Sequence, residues 1–209
     1  YGCLSLSYIS IPRSVKKIGK FAFYNCKSLK KIYIPSSVTN IGENSFRKCI
    51  SLQKITLSSR LKSIEPNTFR NCKELDDIIF PSSVSYIGES SFYSCKSLQK
   101  IDIPQSVECI KEYAFKNCIS LKNVSLPSTL SKIETGSFMS CEKLDSIVFP
   151  LNIEYIESNC FKGCKSLKEV KFPSTIKSIG SHSFRNCSSL TKIEIPSSVT
   201  SIESHSFEE

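Results

Sequence analysis

Apolar positions recur along this chain with a period of 23 residues. Phenylalanine stands at Phe23, Phe46, Phe69, Phe92, Phe115, Phe138, Phe161, Phe184 and Phe207, with no insertion or deletion between copies. Three residues after each of the first eight comes a cysteine, from Cys26 to Cys187, and Cys3 holds the same place one period earlier. Three residues further lies a leucine, from Leu6 to Leu190. The second copy reads Leu29-x-x-Ile32-x-Ile34-Pro35-x-Ser37-Val38-x-x-Ile41-Gly42-x-x-x-Phe46-x-x-Cys49. The Ile32 column holds Ile or Val, the Ile34 column Ile, Leu or Phe, and the Ile41 column Ile in all nine copies. A fixed period of this size marks a repeat architecture.

The spacing inside one unit selects its local structure. The alternation Ile32-Tyr33-Ile34 puts two side chains inward and one outward, as in a short strand. Pro35 removes an N–H and ends that strand. Val38 and Ile41 return to the interior from a second, extended or irregular edge. The Phe46 segment is expected to close the coil with one helical or 3-10 turn, and no segment has room for a long helix. One coil cannot bury its own apolar face, so copies must stack. The predicted fold is a repeat solenoid, a right-handed coil with a parallel β-sheet on one face and short extended or 3-10 segments on the other. Residues 1–209 are expected to form a single domain of nine 23-residue repeats. The chain starts in mid-unit and shows no polar caps, so it reads as part of a longer array.

Two stretches carry a family resemblance. Ile34-Pro35-Ser36-Ser37-Val38-Thr39-Asn40-Ile41-Gly42 and Phe92-Tyr93-Ser94-Cys95-Lys96-Ser97-Leu98 resemble the BspA-like leucine-rich repeat family, and the likeness covers essentially the whole chain. The resemblance implies a leucine-rich-repeat solenoid. It also implies a place on the surface of bacteria or mucosal protozoa, with adhesion, host-protein binding or surface antigenicity as the role. The family motif is structural, so no catalytic or ligand-binding residue carries over from it.

Charge and cysteine content refine this picture. The net charge is +9, which attracts acidic partners or simply aids solubility. The lysines are spread out with no run longer than two, unlike a concentrated nucleic-acid footprint. No apolar run is long enough for a membrane-spanning helix. The eleven cysteines are too regular for an irregular disulfide framework. The ladder cysteines are expected to be buried small residues with a weak S–H donor. Cys160 stands in a small-residue column and is expected to be packed. Cys109 stands where other copies have Lys17, Asn40 or Tyr86, and is the candidate exposed, reactive thiol. No CxxC pair occurs and the only histidines are His182 and His205, so no zinc site and no cofactor are expected. No phosphate loop, nucleophile elbow or Cys–His–acid set is present, so the chain is read as a binding protein and not an enzyme.

Binding must then use the outward columns, chiefly on the strand face. The candidates there are Tyr8, Lys30, Lys31, Tyr33, Lys54, Asp77, Ile79, Lys100, Asp102, Asn123, Val148, Lys168, Lys171 and Lys192. Tyr8, Tyr33 and the Lys30/Lys31 pair form an aromatic-basic patch, and Ile79 and Val148 are apolar where neighbours are polar. Ile79/Val148 and Tyr86/Tyr155 each repeat at the same 69-residue offset, as duplication of a three-repeat block or recurring contact spots would produce. Signs alternate down the columns, predicting lateral stacks Lys54–Asp77–Lys100 and Lys122–Asp145–Lys168 with pairs Glu169–Lys192 and Lys171–Glu194. Asn123-Val124-Ser125 is a glycosylation sequon whose glycan would obstruct this face. The partner expected first is a host or matrix protein, with the chain secreted or at the cell surface. A cytoplasmic scaffold and a polyanion binder, such as a glycosaminoglycan binder, are the alternatives.

Overall fold

The computed structural model describes residues 2–209. They form stacked coils with two short parallel ladders and no helix among the described residues. One ladder holds the three-residue strands Lys31–Tyr33, Lys54–Thr56, Lys100–Asp102, Asn123–Ser125, Ser146–Val148 and Glu169–Lys171, with Asp77 bridging to Lys54. Each central residue points inward and its neighbours outward, as the Ile32 alternation requires. The other ladder holds the two-residue strands Lys17–Ile18, Asn40–Ile41, Ser63–Ile64, Tyr86–Ile87, Cys109–Ile110, Lys132–Ile133, Tyr155–Ile156, Ser178–Ile179 and Ser201–Ile202. All pairs are parallel, and partners lie 23 residues apart, as in Ile18↔Ile41 and Ile32↔Ile55. The Ile41 column thus supplies an extended second edge, paired in runs of two, four and three strands.

The Phe46 segment differs from the expected helical turn. Its N–H groups alternate in direction. Those of Ser45, Arg47 and Cys49 bond back within the coil to Gly42, Asn44 and Phe46, at 3.3, 3.2 and 3.1 Å. Those of Asn44, Phe46 and Lys48 reach forward to the carbonyls of Pro66, Thr68 and Arg70, at 3.1, 3.0 and 2.8 Å. A 3-10 turn would keep all of these bonds inside one coil. The alternation needs left-handed residues two before and two after the phenylalanine: Asn44 has φ 57° and Lys48 φ 64°. Asn, Ser and Gly fill most places in these two columns, because they tolerate that conformation best.

The interior is built from the invariant columns. Phe46, Phe69, Phe92, Phe115, Phe138, Phe161 and Phe184 are fully buried. Successive rings from Phe23 to Phe207 lie nearly parallel, with centroids 5.1–5.6 Å apart. Phe80, Phe149 and Phe172 meet this stack edge-on at 5.6–5.9 Å. Each such aromatic pair adds about 0.5–1.5 kcal/mol beyond area burial.

Polar side chains clip coil to coil at two further points. Seven ladder thiols donate to a phenylalanine carbonyl of the preceding coil, from Cys49 Sγ to Phe23 O at 3.0 Å through Cys187 Sγ to Phe161 O at 3.3 Å. At the turn after the strand, the Ser37, Ser83, Thr129 and Thr175 hydroxyls donate to Val15, Leu61, Val107 and Ile153 carbonyls, at 2.6–3.1 Å. Serines that look like filler in the sequence are therefore inter-coil donors. Cys160 is buried, as its column predicts.

Two outcomes follow from this interior. Phe115→Ala opens a cavity inside an unbroken stack and is expected to cost about 3–5 kcal/mol, read from urea denaturation. A loss well under 1 kcal/mol would contradict the buried stack. The thiol clips also make stability pH-dependent. Burial pushes Cys49, Cys118 and Cys187 up to about 12, and Cys72, Cys95, Cys141 and Cys164 well above the free-thiol value of 9.0. The folded chain then keeps protons that the unfolded chain releases above pH 9.0. Stability is full below that pH and falls as pH rises, by roughly 1.4 kcal/mol per pH unit for each buried thiol. Thermal melts should collapse steeply above about pH 9, and a flat profile to about pH 10.5 would contradict this assignment.

Candidate binding face

The strand face is positioned by Pro35 and its equivalents, which stop each strand after one inward–outward cycle. All fourteen candidate residues are exposed. Tyr8 is 75% exposed, Tyr33 61%, Ile79 78% and Val148 59%, each too open to contribute to the core. Tyr8, Lys31, Tyr33 and Lys54 share one groove with Thr56. Lys31 and Lys54 face each other in paired strands. Like charges in direct register are unfavourable, and neither lysine has a carboxylate within ion-pair distance among the described residues. Asn123, in the sequon, is exposed in its strand.

The face is not one continuous sheet. Strands pair at 31/54, 100/123 and 146/169, with a single bridge at 54/77. No strand pairing joins 77 to 100, 123 to 146 or 169 to 192. Open seams therefore run across the face. A groove of about 690 Å³ lies between Glu169–Lys171 and Lys192–Glu194. Ile79 lines grooves on both its sides, one with Lys54, Thr56 and Leu57 and one with Lys100 and Asp102. Val148 borders the 123/146 seam.

The charge pattern departs from the expected lateral stacks. Of the expected lateral stacks, only Lys122–Asp145 forms, at 3.5 Å. Lys100 turns to Asp102 in its own strand at 2.8 Å, Lys171 to Glu169 at 3.1 Å and Lys192 to Glu194 at 2.9 Å. The seams do not sort these pairs: Asp77/Lys100, Glu169/Lys192 and Lys171/Glu194 lie across seams, but so does Lys122–Asp145, while Lys54 and Asp77 on a bridged boundary form no ion pair among the described residues. The flexible lysines take the carboxylate two residues along their own strand instead. Regular 23-residue charge pairs occur mostly off this face, as Lys20–Glu43 at 3.0 Å, Lys111–Glu134 at 2.9 Å and Lys177–Glu154 at 2.7 Å.

Cys109 corrects another expectation. It is half-buried beside Glu134, with Sγ 3.5 Å from the carboxylate. Burial and that negative charge push its thiol up, so it is neither fully exposed nor activated. Burial opposes ionisation of Glu134, but the Lys111 ammonium holds its carboxyl below the usual range. Cys3 is the exposed thiol. Tyr86 and Tyr155 belong to the second ladder, Tyr86 partly covered and Tyr155 52% exposed with Lys177 over its ring. His182 and His205 stack face to face at 4.9 Å. Among the described residues no three His, Cys, Asp or Glu side chains converge as metal ligands. Among the described residues no helix is long and apolar enough to cross a membrane.

The sequence profile of the BspA type Leucine rich repeat region matches six copies, over residues 1–119 and 85–209. The chain belongs to this family. A leucine-rich repeat protein from Bacteroides ovatus superposes on it with a TM-score of 0.84 and 36% identity, over 90% of this chain and 49% of that one. A T. pallidum leucine rich repeat protein gives 0.58 and 30%, over 84% of this chain and 72% of that one. One from Eubacterium ventriosum gives 0.68 and 28%, over 95% and 63%. The chain thus spans about half the length of the Bacteroides ovatus protein. No curated protein matches it. Folds of this BspA-type repeat class generally serve protein interaction rather than catalysis.

The face assignment makes a stability forecast. Lys31→Glu combined with Lys54→Glu removes no buried contact, so the melting temperature should move by no more than about 2 °C. A fall of many degrees would show that these side chains belong to the packing.

Proposed function

We propose that this chain is a protein-binding module of a surface-displayed or secreted BspA-type protein, and that its strand face engages a host or matrix protein. The observation that carries the reading is the placement of Tyr8, Tyr33, Ile79 and Val148. Four large apolar or aromatic side chains stand exposed on a face that is otherwise polar. Tyrosine and apolar anchors beside charged neighbours are the composition of binding hot spots. Lys31 and Lys54, held in register and neither within ion-pair distance of a carboxylate among the described residues, suit an acidic patch on the partner. The grooves on both sides of Ile79 add concavity that a flat sheet lacks.

The free cysteines fit this location as well as a cytoplasmic one. Nine of the eleven are buried, so an oxidising exterior does not reach them. Surface plasmon resonance against a panel of purified extracellular host proteins tests the proposal. Tyr33→Ala with Ile79→Ser should weaken the interaction found by at least about tenfold, as loss of a hot-spot pair does, and leave the fold intact. Undiminished binding by this variant would remove the strand face as the site. Labelling of intact producing cells with an antibody to this segment separates surface display from a cytoplasmic scaffold.

A further inference from the structure

Charge is distributed along the solenoid very unevenly. Residues 1–72 contain thirteen Lys and Arg against only Glu43 and Glu65, a balance of +11. Residues 73–209 contain fifteen against seventeen acidic residues, a balance of −2. Pairing follows the same division. Lys20 is the only one of the first thirteen in an ion pair among the described residues. Nine of the later fifteen are paired: Lys100, Lys111, Lys122, Lys132, Lys165, Lys171, Lys177, Arg185 and Lys192.

Some of the unpaired cations form a row on the phenylalanine edge, away from the strand face. The column one residue after each phenylalanine reads Tyr24, Arg47, Arg70, Tyr93, Lys116. Its spacing is fixed by the ring stack beneath it, at 5.1–5.6 Å per coil. The backbone here is pinned at every step: Asn25, Lys48, Asn71 and Ser94 N–H groups donate to Arg47, Arg70, Tyr93 and Lys116 carbonyls at 2.8 Å each. Arg47 Nη1 donates to Asn44 Oδ1 at 3.0 Å, and Arg70 Nη1 to Asn67 Oδ1 at 3.1 Å. Both guanidinium groups are thus oriented, and both lack a carboxylate.

The far end of the same column shows what this geometry accepts. Arg185 occupies the place of Arg47 six coils away, and Glu208 follows it by 23 residues. The Glu208 carboxylate sits 3.0 Å from Arg185 Nε and 3.2 Å from His205 Nδ1. One coil step along this column therefore brings an oxyanion onto the guanidinium. At Arg47 the next coil supplies Arg70 instead, and the oxyanion must come from outside the chain.

We infer that the row Arg47–Arg70–Lys116, with Lys48 beside it, binds an extended anionic polysaccharide, its acidic groups lying along successive coils. The aromatic residues argue against a nucleic acid. Lys48 lies over the Tyr24 ring at 5.7 Å, Arg70 over Tyr93 at 4.3 Å, and Lys116 over Tyr93 and Tyr113 at 5.7 and 4.9 Å. Single-stranded nucleic acids need open ring faces for base stacking, and these faces carry cations. A linear ligand also suits a row in which Arg47 and Arg70 stand one coil apart and Lys116 two coils further on, since a pyranose unit is about as long as one coil is thick. This site is separate from the strand face and does not depend on the protein-binding reading.

Fluorescence anisotropy with a labelled heparin dodecasaccharide, from about 50 to about 200 mM salt, tests the inference. Wild-type chain should bind at low salt and lose affinity steeply as salt rises. Arg47→Gln with Arg70→Gln should bind at least about tenfold more weakly. Its slope of log affinity against log salt should be shallower by roughly 1.5, at about 0.7–0.9 per lost contact. Arg47→Lys with Arg70→Lys, which keeps the charge, should restore most of the affinity, and melting curves establish that each variant is folded. Lys31→Gln with Lys54→Gln, on the strand face, should change glycan affinity less than about twofold. Absence of wild-type binding at low salt overturns the inference. So does an equal loss from the strand-face pair, or tighter binding to an oligothymidylate of equal charge.

Discussion

No coil in this protein can complete its own hydrogen bonds, and that constraint organises everything else. A 23-residue loop has too little length to pair its backbone internally, so its N–H groups must find carbonyls one coil away. The boundaries between coils meet this demand unequally. On the phenylalanine edge three N–H groups per coil cross at every boundary, from Phe21, Phe23 and Asn25 through His182, Phe184 and Asn186. On the strand face the pairing is interrupted every second or third coil. The continuous spine of the solenoid is therefore the turn that bears the phenylalanines, where backbone bonds, stacked rings and thiol clips coincide. The strand face is the looser side.

This inverts the expectation that a named β-sheet is the rigid element, and it shows where the sequence was legible. The inward columns could be read directly, because burial of Phe46, Ile41 and Leu29 depends only on residue type and period. The structure of the phenylalanine turn could not. Its left-handed positions are occupied by Asn44 and Asn67, which hint at φ above zero, but also by Tyr113, Lys48 and His182, which do not. Nothing in a list of side chains reveals that alternate N–H groups point to different coils. The serine and threonine clips escaped notice for a related reason: Ser37 and Ser36 look alike, and only the backbone distinguishes the one whose hydroxyl reaches Val15.

The exposed charges were legible in identity but not in pairing. A sequence register assumes equal spacing between all coils, and on that assumption Lys171 meets Glu194 as readily as Glu169. It also ignores side-chain reach: a flexible lysine takes the carboxylate two residues away on its own strand. The uneven charge along the axis was present in the sequence all along. It was hidden because the lysines form no run: Arg13, Lys27, Arg47 and Arg70 are scattered until the 23-residue fold places each third of the chain in its own group of coils.

Rigidity and looseness then divide the surface between two kinds of recognition. A ligand with a regular repeat gains most from a row whose spacing cannot drift, because each cation already stands where the next acidic group arrives and little ordering remains to be done. The Arg47–Arg70 column has that property, being pinned by backbone bonds of 2.8 Å and underlain by the ring stack. An irregular protein surface gains more from a face that offers grooves, isolated apolar anchors and side chains free to choose between partners. Ile79 between two grooves, and Lys31 and Lys54 outside any ion pair among the described residues, have those properties. The same coil thus presents a fixed ruler on one edge and an adaptable relief on the other. The difference between them traces back to which backbone N–H groups the next coil is able to satisfy.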